Sequence, residues 1–255
     1  MPYKVFSIAE RPDFSQQLNF ENDWPEFILY DPVDSAFFGR LPQVFPEFTV
    51  VAVDDHEEVV ARGYSVPFLM NTPTRGTLPD RGWDEALLWA FSDQGQGIDS
   101  DTECAIGVTV RRDHQGRGLS KIMLEAMRQR AFVRGFSELV VPVRPTGKLN
   151  EPRTPMSEYV YRTRSDGLPC DPWLRTHVRA GGVIDSIAPA SMVVTGSLSQ
   201  WRKWTGRPFD SDGWVDVPGG LVPARCVMDS DYAVYVEPNV WVRHRLTDEI
   251  GEMIA

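Results

Sequence analysis

Apolar residues along this chain form short alternating runs near both ends and one longer stretch at 3,4 spacing near the middle. Tyr3–Ala9 (YKVFSIA) alternates as a first strand does. Residues 10–47 carry Trp24, Phe27, Phe37, Phe38 and Phe45 with no sustained period, which predicts short helices and loops. Phe48–Val53 and Val59–Pro67 are β-rich runs on either side of the polar turn Asp54-Asp55-His56-Glu57-Glu58, a hairpin pattern. Residues 71–82 read as loop, and Trp83–Phe91 as a short helix burying Leu87, Leu88 and Phe91.

The centre is the most regular region. Glu103–Val110 (ECAIGVTV) reads as a strand and Arg111–Ser120 as the turn after it. A helix then runs to about Arg134, with Leu119, Ile122, Met123, Ala126 and Val133 on one face, interrupted by Arg130. Gly135 is a natural stop. Leu139–Val143 is the next strand, and Pro142 within it lacks an N–H, so that strand should be unpaired on one side. Residues 144–172 form a long Pro-rich connection. Trp173–Ala180 reads as a short helix ended by Gly181-Gly182, and Val183–Ile187 and Ser191–Thr195 as two short strands. Another helix, Leu198–Thr205, precedes strands at 214–217, 221–228, 232–237 and 239–245.

Composition narrows the class. With 255 residues, 42% of them hydrophobic, the chain can build one large core, or a domain with a substantial extension. A formal charge of −10 disfavours nucleic acid and anionic membrane as partners. Cys104, Cys170 and Cys226 are far apart, and no Cys/His cluster has metal-ligand spacing, so no metal is expected. There is no signal-like start and no apolar run of the roughly 18 residues that a membrane span needs, so a cytoplasmic protein with reduced thiols is expected.

Chemistry concentrates at Gln115-Gly116-Arg117-Gly118-Leu119-Ser120, between a strand and an amphipathic helix. The first turn of a helix has N–H groups without intrahelical partners, and the helix dipole adds positive potential there. Gly116 and Gly118 let backbone approach a bulky diphosphate, Leu119 anchors the turn, and Arg117 and Lys121 add charge. Neither the dinucleotide fingerprint GxGxxG nor the nucleotide loop GxxxxGK[ST] is present.

A strand ending Val108-Thr109-Val110, followed by Q/R-x-x-G-x-G/A, resembles the acyl-CoA signature of the GNAT (GCN5-related N-acetyltransferase) superfamily, with Ser120 where Gly or Ala is usual. The resemblance spans about 1–196. It implies an α/β (α+β) fold: a mixed, mostly antiparallel central sheet flanked by helices, here with a 144–172 insertion and a β-rich C-terminal extension over 197–255. It also implies acetyl-CoA or another acyl-CoA as co-substrate, its pyrophosphate on the Gln115–Ser120 amides and its pantetheine along Val108–Val110. The activity implied is direct attack of an amine on the thioester, and a small metabolite is the expected acceptor. A peptide or protein amine, or a non-catalytic acyl-CoA sensor, are the alternatives.

The resemblance puts His177 where the family often has a Tyr that protonates the departing thiolate. His177 reads either as that general acid or as a cation on a helix C-terminus. The family also places a base-like Glu on the strand leading into the motif, and Glu103 reads as that base or as a solvated strand-end carboxylate. Arg144 and Lys148 read as binders of an anionic group on substrate or CoA, or as loop charge. Trp201, Trp204, Trp214, Tyr232, Tyr235 and Trp241 are expected in the core, in homodimer contacts, or in a substrate-pocket wall.

Overall fold

A computed structural model describes residues 3–20 and 24–246 of the chain. Among the described residues nine strands make one sheet: β1 (Lys4–Ser7), β2 (Thr49–Val53), β3 (Val59–Phe68), β4 (Thr102–Val110), β5 (Glu138–Val143), β6 (Val183–Ser197), β7 (Gly213–Val215), β8 (Ala224–Val227) and β9 (Tyr232–Arg245). The helices are α1 (Pro32–Phe37), α2 (Leu41–Val44), α3 (Gly82–Gln96), α4 (Leu119–Val133), α5 (Met156–Tyr159), α6 (Pro172–Arg179) and α7 (Leu198–Thr205), with short 3-10 turns between several of them.

The sheet is mixed and mostly antiparallel, with helices on both faces, as expected. Its order is β1-β2-β3-β4-β5-β9-β8-β7, with β6 also paired to β9. The β4–β5 pair is parallel and all other pairs are antiparallel. One face is covered by α4 and packs Met123, Leu124 and Met127 with Val50, Leu139 and Val242. The other is covered by α3, α1 and α7, with Trp83, Leu87, Trp201, Tyr235 and Trp241 in its core. Four of the six tail aromatics are therefore core residues, whereas Trp214 is exposed and Tyr232 partly so.

Three details differ from the sequence reading. The buried stripe of α4 is Leu119, Met123, Leu124, Met127 and Ala131, while Ile122 and Val133 face outward. Close approach of the helix to Gly63 selects this face: a Cβ there would lie 3.1 Å from the Met127 sulfur and 3.2 Å from Met123 Cε. The two short strands after α6 are one strand, β6, with a register shift between Ala188 and Met192, and 232–237 and 239–245 are likewise one strand, β9. Finally, β9 belongs to the middle of the sheet. One of its edges pairs with β6, and the other pairs with β8 at Tyr232–Val234 and with β5 at Val240–Arg245. The expected boundary at 196/197 therefore runs through a continuous sheet, and the outer ends of both expected ranges lie outside the described residues.

The 144–172 connection is tied down by polar contacts. Asp171 caps α6 through Trp173 N and Leu174 N, and its other oxygen accepts from Gly147 N at 2.8 Å and from the Tyr159 hydroxyl at 2.9 Å. Among the described residues, no helix is long and apolar enough to cross a membrane.

Candidate active site

The site begins where β4 and β5 part. They pair only at Glu103↔Leu139 and Cys104↔Val140. Beyond that point β5 continues along β9, with Pro142 opposite Trp241, so the unpaired side expected at Pro142 is the side facing β4. On its other edge β4 carries a bulge. Tyr64 pairs with Gly107 but Ser65 pairs with Ala105, leaving Ile106 as the extra residue. The Trp83 indole donates to the Ile106 carbonyl at 2.9 Å and fixes the bulge. Past the bulge the alternation reverses. Cys104 and Ile106 lie in the core on the α3 side, whereas Val108 and Val110 pack toward the α4 side. Strand-edge amides and carbonyls after Cys104 thus face an open fork, where an extended amide-containing arm can pair as an added strand would.

Three neighbouring cavities, which share lining residues, occupy this fork. The largest, about 490 Å³, is lined by Val108, Thr109, Val110, Gln115, Gly116, Gly118, Leu119 and Ser120 on one side, and by Arg144, Thr146, Trp173 and Thr176 on the other. Gly116 and Gly118 have φ of 73° and 79°, a region that favours glycine, and Gly118 is the N-cap of α4 without a side-chain cap. The first amides of a 15-residue helix therefore face the cleft, with no acidic residue in that first turn. A second cavity of about 90 Å³ lies deeper, among Ile106, Gly107, Val108, Leu124, Val141, Pro142, Trp173, His177 and Asn239. A third, about 110 Å³, opens on the α3 side of β4 among Ile28, Asp34, Phe38, Arg62, Tyr64, Trp83, Gly107 and Met192. Trp24 and Val108 line all three.

The residues expected to hold the CoA pyrophosphate and pantetheine converge on the first cavity, with the exception of Arg117, which is exposed and not among its lining residues. Arg144 also lines the cleft, but its guanidinium is engaged. It donates to Glu237 at 2.8 and 3.1 Å and to the Gly219 carbonyl at 2.6 Å, and it sits 5.4 Å from the Trp24 ring. Lys148 lines none of the three cavities. Its ammonium is buried, donating to the carbonyls of Glu151 at 2.6 Å and Leu221 at 2.9 Å, so it ties the connection to the C-terminal segment instead of meeting substrate.

Glu103 likewise lines none of them. It is fully buried at the paired end of β4, accepts from the Ser65 hydroxyl at 2.6 Å and pairs with Arg134 at 3.3 Å. Burial pushes its carboxyl up to about 7 against the pull of Arg134. The solvated strand-end carboxylate expected as one alternative is thus absent, and the base role has no route to the fork. His177 does line the second cavity. Its Nδ1 lies 3.0 Å from His244 Nε2, and burial followed by His244 lowers its pKa to about 3. The imidazolium required of a general acid is therefore strongly disfavoured, and His177 presents a neutral ring.

Asp34, Arg62, Tyr64, Trp24 and His244 escaped the sequence reading. Among the described residues that line the three cavities, Asp34 is the sole carboxylate. Burial, with a contribution from Asp31, raises it to about 6.

No protein-family profile matches the chain. It is 34% identical over 274 aligned positions to a protein named arginine N-acetyltransferase avaD of Aspergillus versicolor, covering 95% of this chain and 93% of that one. Among solved structures it superposes on the loading GNATL domain of CurA from Lyngbya majuscula with a TM-score of 0.59 at 16% identity, covering 96% and 98% of the two chains. It also superposes on the GphF GNAT-like decarboxylase, solved with isobutyryl-CoA, with a TM-score of 0.54 at 16% identity and coverage of 96% and 100%. At that identity these two structures speak to the fold.

Proposed function

The chain belongs to the GNAT superfamily of acyl-CoA-dependent N-acyltransferases, and from that premise we propose that it moves an acetyl group from acetyl-CoA to the amine of a small amino-acid-like metabolite. The observation that carries this reading is the clustering of three cavities at the β4–β5 fork, all of them lined by Val108 and Trp24. The first, about 490 Å³, is the largest of the three and has the uncapped helix amides that a CoA pyrophosphate needs. The second, about 90 Å³ and lined mainly by apolar side chains, suits a short acyl group. The third offers an approach for the amine from the opposite side of β4.

In this reading the CoA pyrophosphate rests on the amides of Gly116–Ser120, and pantetheine extends along the free edge of Val108–Val110. The thioester carbonyl lies beside the Ile106–Gly107 bulge. A neutral amine attacks the carbonyl carbon from the third cavity, a C–N bond forms and the C–S bond breaks, with CoA leaving as the thiolate. The nitrogen sheds one proton and the sulfur gains one. A thiol has an ordinary pKa near 8.5, so protonation of the leaving group from water suffices at neutral pH. His177 acts here as a neutral hydrogen-bonding ring at the acyl end, held in place by His244. Rate enhancement rests on bringing amine and thioester together in one orientation. The name of the relative from Aspergillus versicolor makes arginine the first acceptor to try.

The test is calorimetric titration with acetyl-CoA, free CoA and ATP, followed by thiol-release assays with an amine panel headed by arginine. Binding of CoA species without ATP, and turnover with an amino acid, is the expected result. Binding without turnover on any amine would leave an acyl-CoA sensor, and absence of CoA binding would refute the reading.

A further inference from the structure

The third cavity contains two charged groups of opposite sign, and neither has a counterion among the described residues. Asp34 lies in the first turn of α1. Asp31 already accepts both amides available there, Val33 N at 2.8 Å and Asp34 N at 3.0 Å, so the Asp34 carboxylate is released from capping. It has no hydrogen bond or ion pair to a described residue while lining the cavity half-buried. Arg62 projects from the middle of β3 on the same face as Tyr64 and is 8% exposed. One terminal nitrogen donates to the Leu18 carbonyl, and the guanidinium sits 4.6 Å from the Phe20 ring and 5.8 Å from the Tyr64 ring. Its Nε is buried without a partner.

A buried guanidinium and a half-buried carboxylate are each costly unless paired, and two such groups free to meet would form an ion pair. Here they do not pair with each other. The same cavity is lined by the rings of Phe38, Trp83 and Trp24 and by Met192, a wall suited to an aliphatic stem and to the face of a cation.

We propose that this cavity is a receptor for an amphoteric acceptor, an amino acid whose side-chain guanidinium faces Asp34 and whose carboxylate faces Arg62, leaving its α-amine free to react. The assignment rests on the acyl-transfer reading for which molecule is acetylated, but the charge recognition itself can be measured apart from transfer. It gives the pocket a selectivity rule. A ligand lacking the guanidinium charge or the carboxylate leaves one protein group buried and uncompensated, so both a decarboxylated analogue and one with a neutral urea side chain are rejected.

The experiment uses the full chain saturated with CoA. Binding of arginine, of agmatine (arginine without its carboxylate) and of citrulline (arginine with a neutral urea in place of the guanidinium) is measured by calorimetry, and thiol release from acetyl-CoA is measured in parallel. Wild type should prefer arginine to each analogue by at least about tenfold, the equivalent of one charge-assisted hydrogen bond. Asp34→Asn should collapse the arginine-to-citrulline preference toward unity, and Arg62→Met should collapse the arginine-to-agmatine preference. If Arg62→Met does not fold, the wild-type comparison with agmatine decides the carboxylate half, and Asp34→Asn decides the cation half. Agmatine binding as well as arginine, or an Asp34→Asn variant with the arginine-to-citrulline preference intact, would overturn the proposal. Charge-selective binding without thiol release would instead count against the acyl-transfer reading and leave the receptor standing.

Discussion

The two ends of β4 are built from similar residues and do opposite things. At the Glu103 end the strand is paired on both edges, and its carboxylate is locked between Ser65 and Arg134. At the Val108 end, one bulged residue later, the β5 side is open and three cavities cluster. Each end has a carboxyl raised by burial nearby, Glu103 to about 7 and Asp34 to about 6. Only Asp34 lines a cavity. A raised carboxyl thus reports burial, and the pairing state of the strand beside it is the better guide to where chemistry can occur.

The largest test of this contrast closes the open end. Gly107 lines the second and third cavities and has open space where a Cβ would be. Gly107→Val suits a strand and should fold normally, yet it narrows the passage from acceptor to thioester. A fall in kcat/KM of about 100-fold is expected, as for a small misplacement of reacting groups, with acetyl-CoA affinity changed only a few-fold. Turnover near wild type would mean the amine reaches the thioester by another side.

A second test disturbs the floor of the fork. At Gly182 a Cβ would lie 2.7 Å from His244 Cε1, 2.8 Å from Val242 Cγ1 and 2.9 Å from the His177 carbonyl. Gly182→Ala should cost about 1–3 kcal/mol by overpacking, read as a lower denaturation midpoint, and should displace the His177–His244 pair. An unchanged midpoint would show that this neighbourhood yields easily.

Asp84 supplies the same contrast away from the cavities. It is 1% exposed, one oxygen has no partner, and burial followed by Asp31 raises it to about 8. A carboxyl that binds its proton more tightly when folded stabilises the fold at low pH, and that stability is lost as pH rises from about 4 toward 8. Asp84→Asn should flatten this decline and raise Tm at pH 8 by roughly 2–4 °C, about 1 kcal/mol for a domain of this size, without altering kcat. A lower Tm at pH 8 would show that its 3.8 Å approach to Arg81 outweighs the burial.

The smallest effect belongs to Glu103. Its contribution is likewise lost between about 4.5 and 7 as pH rises, so Glu103→Gln should make the stability profile shallower over that window. The pH–rate profile should be unchanged. A rate-controlling pKa that disappears in this variant would restore the base role.

What could be read from sequence was local. The Gln115–Ser120 loop, its strand and its helix depend on neighbouring residues, and Pro142 announces its own missing hydrogen bond. The acceptor cavity joins Asp34, Arg62, Gly107 and Met192 from four separate elements, and the aperiodic run at 10–47 gave no hint that Asp34 would point into it. The bulge at Ile106 sits inside a run whose simple alternation would set Cys104, Ile106, Val108 and Val110 on one face, whereas the extra residue turns Val108 and Val110 to the other. His244 was read only as part of a strand, since its partner is 67 positions away.

The placement of β9 also constrains the order in which the molecule can be made. During synthesis β4, the glycine loop and β5 emerge well before the strand that covers the far edge of β5, which arrives only with Val240–Arg245. Until then the nascent chain carries a hydrophobic strand with one bare edge, the kind of surface that chaperones retain and neighbouring chains capture. The fork gains its second wall only once β9 has been made, so a ribosome stalled between β6 and β9 would hold the Gln115–Ser120 loop without the sheet that surrounds it.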